Sequence, residues 1–182
     1  LGDVYKRQGE EFSLMSFCDG ETIQHMPIVQ DHKRAYENDT GPNTGGMGTY
    51  SNFDHSLPFL EGQDVEAAKR INELTMRALK EKTGMNYMGV LYGGFMAVRD
   101  GVRLIEYNAR FGDPEAMNVL SLLETDLIEI CKAVTEKKLS NIKIQFDKKA
   151  TVCKYAVPQG YPDSPIKGEK IDTSNVKNIE SL

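Results

Sequence analysis

Between Glu106 and Arg110 the chain reads Glu-Tyr-Asn-Ala-Arg, placing a carboxylate, a carboxamide and a guanidinium two residues apart. On an extended backbone, side chains at that spacing share one face. Two hard oxygen donors beside a cation suit a phosphate-bound divalent ion. Glu106 and Asn108 can hold Mg²⁺, and Arg110 can meet the phosphate that the ion carries. Alternation alone more often marks an ordinary amphipathic strand with a solvated polar face. Here, however, the stretch runs straight into Phe111-Gly112-Asp113-Pro114-Glu115, a turn and helix start, and a hairpin precedes it.

A second group lies upstream. Gln30-Asp31-His32-Lys33-Arg34 is followed by Asp39-Thr40-Gly41-Pro42-Asn43-Thr44-Gly45-Gly46-Met47-Gly48. Glycines let a backbone approach a ligand and offer N–H groups to an anion. Thr40 and Thr44 add hydroxyls, and Lys33 and Arg34 add positive charge. The segment lacks the Gly-Lys-Ser/Thr ending of a Walker loop, and it does not join a clear strand to a helix as a dinucleotide fingerprint does. A flexible surface turn is the plain alternative, although Pro42, Met47 and Tyr50 are unusual in a flexible linker.

The elements that must carry these groups are mixed. Glu11–Cys18 reads as a strand, Asp19-Gly20 as a hairpin turn and Glu21–Val29 as the returning strand. Asp31–Phe53 is polar and glycine-rich and reads as a long ordered or functional loop. Val65, Ala68, Ile71, Leu74, Ala78 and Leu79 recur at helical spacing between Asp64 and Lys82, and Gly84 ends that helix. Tyr87–Val98 and Val102–Asn108 form a hairpin about Asp100-Gly101. Pro114 opens a helix. Another helix begins near Asp126, capped by Thr125 or Asp126, with Leu127, Ile130, Cys131 and Val134 on one face.

Composition sets wider bounds. The 182 residues can bury a core, and a net charge of −5 argues against a general nucleic-acid binder. No apolar run approaches a membrane span, so neither a membrane nor a nucleic acid is expected as partner. Cys18, Cys131 and Cys153 fit no zinc spacing or disulfide framework, which points to a reducing cytoplasm. His25, His32 and His55 are scattered, which disfavours a transition-metal site. Residues 1–8 show no useful pattern and are expected to be a non-native or artefactual leader. A new strand is expected over Asp147–Ala156, so 9–148 would be one partial domain and 149–182 the start of another.

The three motifs together, Gln30–Arg34, Asp39–Gly48 and Arg110–Met117, closely resemble the phosphoribosylamine–glycine ligase family of the ATP-grasp superfamily. The likeness covers nearly everything from Gly9 to about Tyr161. It implies an α+β fold: a truncated ATP-grasp C-terminal lobe, mostly antiparallel sheet with flanking helices, plus the start of a small β-rich domain. It also implies ATP-dependent joining of glycine to 5-phosphoribosylamine through a glycyl phosphate, giving glycinamide ribonucleotide, ADP and phosphate in purine synthesis. Both substrates are small molecules, and the cofactors would be ATP and Mg²⁺, with Mn²⁺ as an alternative ion. In that reading Glu106 and Asn108 bind the metal, and Arg110 stabilises the transferring phosphoryl group. Asp113 and Glu115 orient Arg110 or meet the amine, although Asp113 could equally cap the helix that follows it. Lys33 and Arg34 contact phosphate. Asp31 and Thr44, Gly45, Gly46, Met47 and Gly48 hold the phosphoribosylamine. Glu10 or Glu11 bonds the ATP ribose. His32 has only a packing task. The resemblance also implies that the family's N-terminal domain, first nucleotide-binding lobe and most of the C-terminal domain lie outside this chain, so the chain alone is expected to be an inactive fragment. The alternatives are another ATP-grasp carboxylate–amine ligase, a non-catalytic nucleotide-binding module, or a structural piece without a ligand.

Overall fold

The structure is a computed structural model that describes residues 9–176. The unpatterned residues 1–8 lie outside the described region. Two antiparallel sheets carry the chain. The first has strand order β2-β1-β5-β6, formed by β1 (Glu10–Asp19), β2 (Ile23–His25), β5 (Met88–Val98) and β6 (Gly101–Asn108). The second has order β3-β4-β7, formed by β3 (Gln30–Tyr36), β4 (Thr40–Ser51) and β7 (Thr151–Lys154). The helices are α1 (Gly62–Thr83), α2 (Glu115–Leu122) and α3 (Leu127–Thr135), followed by a 3₁₀ turn at Leu139–Asn141.

Alternation along β1 sends Phe12 and Leu14 to one face, where they meet Phe95, Ala68 and Val102 under α1. Met15 and Phe17 point the other way and pack with Tyr92, Val119 and Ile130 under α2 and α3. The first sheet is thus buried on both sides through most of β1, which explains the nearly continuous apolar run Phe12–Cys18. Helix α1 follows its predicted span, and Gly84 closes it in the left-handed region at φ 72°. Pro114 is the N-cap of α2 rather than its first residue. Asp126 caps α3 by accepting from the N–H groups of Ile128 and Glu129. On α3, Ile130 and Val134 are buried as expected, whereas Cys131 is exposed.

Three expectations change. Asp31–Phe53 is not a loop but a hairpin, β3 and β4, turned at Asn38 and Asp39, which both take positive φ of 57° and 55°. Three residues, Glu37, Asn38 and Asp39, lie between the paired Tyr36 and Thr40, and the positive φ at two of them turns the chain back. The returning strand after Gly20 is only Ile23–His25, joined further on by a single bridge between Ser13 and Val29. The strand expected over Asp147–Ala156 is the short β7, and it adds to β4 in register Thr49 to Cys153.

A buried polar network ties α2 to this second sheet. Asn118, 1 % exposed, donates to the Thr151 hydroxyl at 3.0 Å, and Thr49 donates to the Asn118 carbonyl oxygen. Ser51 and Thr151 share a further bond at 2.6 Å. Replacing Asn118 by alanine leaves the buried Thr49 hydroxyl without its partner, which costs roughly 2 kcal/mol. A shifted urea midpoint with unchanged slope checks this.

His25 makes the first sheet sensitive to acid. Burial pushes its imidazole down from 6.5 to about 4, with nearby Lys69 adding to the effect. Its Nδ1 shares a 2.9 Å bond with the Ser16 hydroxyl. The unfolded chain takes up this proton near 6.5 and the folded chain only near 4. The unfolded state therefore gains protons first, and stability falls as pH drops through that window. The loss is on the order of 3 kcal/mol, and in denaturant melts across the window it should vanish in His25→Gln.

Candidate active site

One cleft, along the side of the first sheet that faces away from α1, takes residues from the Glu106 and Asp31–Lys33 stretches, whereas neither the glycine-rich segment nor Arg110–Met117 is part of its lining. Glu106 pairs with Gly94, and Asn108 with Tyr92. The Asn108 amide donates to Glu106 Oε1 at 3.3 Å, so both side chains lie on the same face, as their spacing implied. Tyr107 goes to the opposite side and donates to the Thr75 hydroxyl on α1 at 2.9 Å. A bulge between Gly94 and Phe95 of β5 leaves Ile105 as the extra residue of β6. Gly94 provides the space beside Glu106: a Cβ there would already sit 3.4 Å from Glu106 Cγ, so a larger side chain would crowd the carboxylate.

Glu11, Ser13, Asp31, Lys33 and Tyr92 line the same cleft as Glu106. Alternation decides which predicted residues reach it. Asp31 and Lys33 point inward from β3, and Lys33 meets Glu11 across the cleft at 3.4 Å. With both groups nearly half exposed, this ion pair adds little stability and is free to exchange for a ligand. Arg34 was expected beside Lys33. It points away, exposed, and donates to the Gly41 carbonyl at 2.8 Å. Likewise Glu10 and Glu11 lie on opposite faces. Glu10 accepts from Gln30 at 3.2 Å, and only Glu11 lines the cleft. His32 stacks on Tyr50, in keeping with a packing role.

The glycine-rich segment is strand, and its residues have separate tasks. Thr44 donates its hydroxyl proton to the Lys33 carbonyl at 2.9 Å and accepts from the Gly46 N–H at 3.1 Å. A Cβ on Gly48 would stand 2.7 Å from the Cys153 carbonyl, so glycine there lets β7 approach β4. Gly46 lies against Asp31 and Pro114, with φ of 133°. Gly45 has open space around it. Met47 gives its carbonyl to the Tyr155 N–H at 3.0 Å.

Asp31 has the most perturbed carboxyl in the cleft. Burial, with the Glu115 charge beside it, pushes it up to about 7 against the pull of Lys33. Its Oδ1 is buried without a hydrogen-bond partner among the described residues. Glu115 is 2 % exposed and accepts from the Tyr92 hydroxyl at 2.9 Å. The exposed Arg110 bonds only the Phe111 carbonyl among the described residues, at 2.8 Å, so neither Asp113 nor Glu115 orients it. Asp113 caps no helix and accepts from Tyr155 at 2.5 Å. Sequence reasoning missed Tyr92 and Tyr155. Tyr92 had a local signal, two positions before Gly94 on a strand pairing with the Glu106 strand. Tyr155 had none, being 42 residues from Asp113.

Known proteins are similar to the chain in this same region. The family model for phosphoribosylglycinamide synthetase, ATP-grasp (A) domain, matches residues 6–116. Phosphoribosylamine–glycine ligases from Methanocaldococcus jannaschii and Methanosarcina barkeri are 56% and 54% identical to it over 91% and 92% of the chain. The chain spans only 37% and 39% of those relatives. The crystal structure of phosphoribosylamine–glycine ligase from Thermotoga maritima matches at TM-score 0.68 and 31% identity, covering 89% of this chain and 39% of that one. A urea amidolyase from K. lactis shares the fold at TM-score 0.58 and 16% identity, over 79% of this chain and 8% of that one. With its α+β architecture and its match over residues 6–116, the chain belongs to the phosphoribosylglycinamide synthetase ATP-grasp family.

Proposed function

We propose that this chain is part of a ligase that joins glycine to 5-phosphoribosylamine at the expense of ATP, through a glycyl phosphate, releasing glycinamide ribonucleotide, ADP and phosphate. The observation that carries the reading is the pair Glu106 and Asn108, side by side on one face of a cleft that Lys33 also enters. The similarity to phosphoribosylamine–glycine ligases along 91% of the chain supports the choice of substrates. The proposed setting is the cytoplasm, consistent with three free cysteines. No helix among the described residues is long and apolar enough to cross a membrane.

Two protein oxygens are few for a cage, and among the described residues no cluster of three acidic, histidine or cysteine groups could hold an ion. They are the right number for Mg²⁺, or Mn²⁺, that keeps its other positions for phosphate oxygens and water. When bound, such an ion neutralises charge on the phosphates of ATP. The chain's own groups would do the rest. Lys33 would exchange Glu11 for a phosphate oxygen, and Glu11 would then be released toward the ribose hydroxyls. Arg110, held among the described residues only by a backbone carbonyl, would swing onto the transferring phosphoryl group. Asp31, largely neutral below pH 7, would ionise when a cationic amine comes beside it. Asp113 and Glu115 would complete the acidic side of the amine site.

The chain spans little more than a third of its ligase relatives, and we propose that it does not turn over by itself. The test is ADP release by the full-length polypeptide carrying this chain, in the presence of Mg·ATP. Release that requires both glycine and 5-phosphoribosylamine is expected. Release with a different amine acceptor instead, or near-complete activity of residues 1–182 alone, would overturn the corresponding part of the reading.

A further inference from the structure

Tyr155 joins two segments that are far apart in sequence, the turn before α2 and the glycine-rich strand. Its hydroxyl donates to Asp113 Oδ1 at 2.5 Å, and its backbone N–H donates to the Met47 carbonyl at 3.0 Å. It lies at the end of β7, where Gly48 has given up a side chain so that the Cys153 carbonyl can come close. One residue therefore fixes the turn before α2 and the end of the glycine-rich segment relative to each other. Asp113 Oδ2 has no hydrogen-bond partner among the described residues.

We propose that Tyr155 is a positioning residue of the ligation site: it holds one oxygen of Asp113 so that the other is presented to the amine substrate. The inference rests on the ligase reading above. A charge-assisted O–H···O⁻ bond of this length is among the stronger neutral-donor bonds, and it restricts the carboxylate to one rotamer. The bond also stabilises the protonated phenol. It is the largest reason that Tyr155 is pushed up from 10.0 to about 12, with desolvation second. The half-buried Tyr155 ring spends its hydroxyl on Asp113, which lies 42 residues away in sequence.

The experiment compares Tyr155→Phe, Asp113→Asn and the double variant in the full-length polypeptide, with ADP release as readout. Tyr155→Phe keeps the ring and the N–H to Met47 and removes only the hydroxyl. A fall in kcat of roughly tenfold or more is expected, with KM for ATP unchanged. The double variant should be no worse than Asp113→Asn, because the hydroxyl acts through that carboxylate. In parallel, ¹³C-labelled tyrosine spectra of this chain should show the Tyr155 phenol titrating near the ordinary value once Asp113 is replaced. Wild-type turnover by Tyr155→Phe, or full additivity in the double variant, would overturn the proposal and leave the ligase reading standing. A wild type without release dependent on glycine and phosphoribosylamine would remove both. Should Tyr155→Phe prove unstable, Asp113→Asn with an unshifted phenol titration would alone refute the contact.

Discussion

Glu106→Ala is expected to lower kcat/KM for ligation by roughly three orders of magnitude, equivalent to about 4 kcal/mol of transition-state stabilisation. The expectation comes from position. Among the β6 residues that face the cleft, Glu106 is the only one with a negative charge, and its neighbour Asn108 at 3.3 Å is neutral. Removing it takes away the charged donor of the pair and leaves the amide without its partner. Asn108→Ala should do less, since a carboxamide contributes geometry and a weaker dipole. The fold should not change in either variant, because Glu106 is exposed and takes no part in the apolar clusters. ADP release by the full-length polypeptide, with a thermal melt as control, separates the two effects. Loss of less than tenfold for Glu106→Ala would show that the metal and its phosphates lie elsewhere.

Asp19→Ala should unfold the chain more readily than any other change considered, by about 3–4 kcal/mol. Asp19 ends β1, is 1 % exposed, and accepts three backbone N–H groups. Those of Glu21 and Thr22, at 2.9 and 2.6 Å, shape the turn before β2. The third, from Leu139 at 2.9 Å, fastens the 3₁₀ turn from 120 residues away. Burial alone would raise this carboxyl's pKa. The N–H groups of Thr22, Glu21 and Leu139 outweigh it and hold the group below its ordinary 3.8. The folded state therefore favours the anion. Its contribution is complete above pH 3.8 and is lost as pH falls through the lowered folded value. Asn in this place keeps one acceptor and turns an N–H₂ toward a donor, so Asp19→Asn should recover little. Urea melts at neutral pH and near pH 3 would show the variant's deficit shrinking with acid.

How much could be read from the residues depended on whether side chains or backbone carried the information. Glu106 and Asn108 were legible because a strand's period of two is written in side-chain type. The helices were legible through their caps, as at Gly84 and Asp126. The β3–β4 hairpin was not. Its glycines erase alternation, and its ladder is held by close backbone approach, as where Gly48 meets Cys153. The Asn38-Asp39 turn carried a usable signal, since these residues tolerate positive φ better than most. Arg34 was misplaced for a related reason: adjacent basic residues look like one patch, but a strand sends them to opposite sides. Tyr155 needed a contact across 42 residues that no local pattern encodes.

The spare residue in β6 has one further consequence. Val102, Leu104, Glu106 and Asn108 share parity in sequence, yet Val102 lies in the cluster under α1 while Glu106 faces the cleft. Ile105 is where the strand changes phase. Loss of one residue on the hairpin side can be absorbed by straightening the ladder at that point, with Glu106 and Asn108 still aimed at the cleft as before. The distorted position thus insulates the chemistry from length variation in the adjoining turn, a tolerance that a perfectly regular strand would lack.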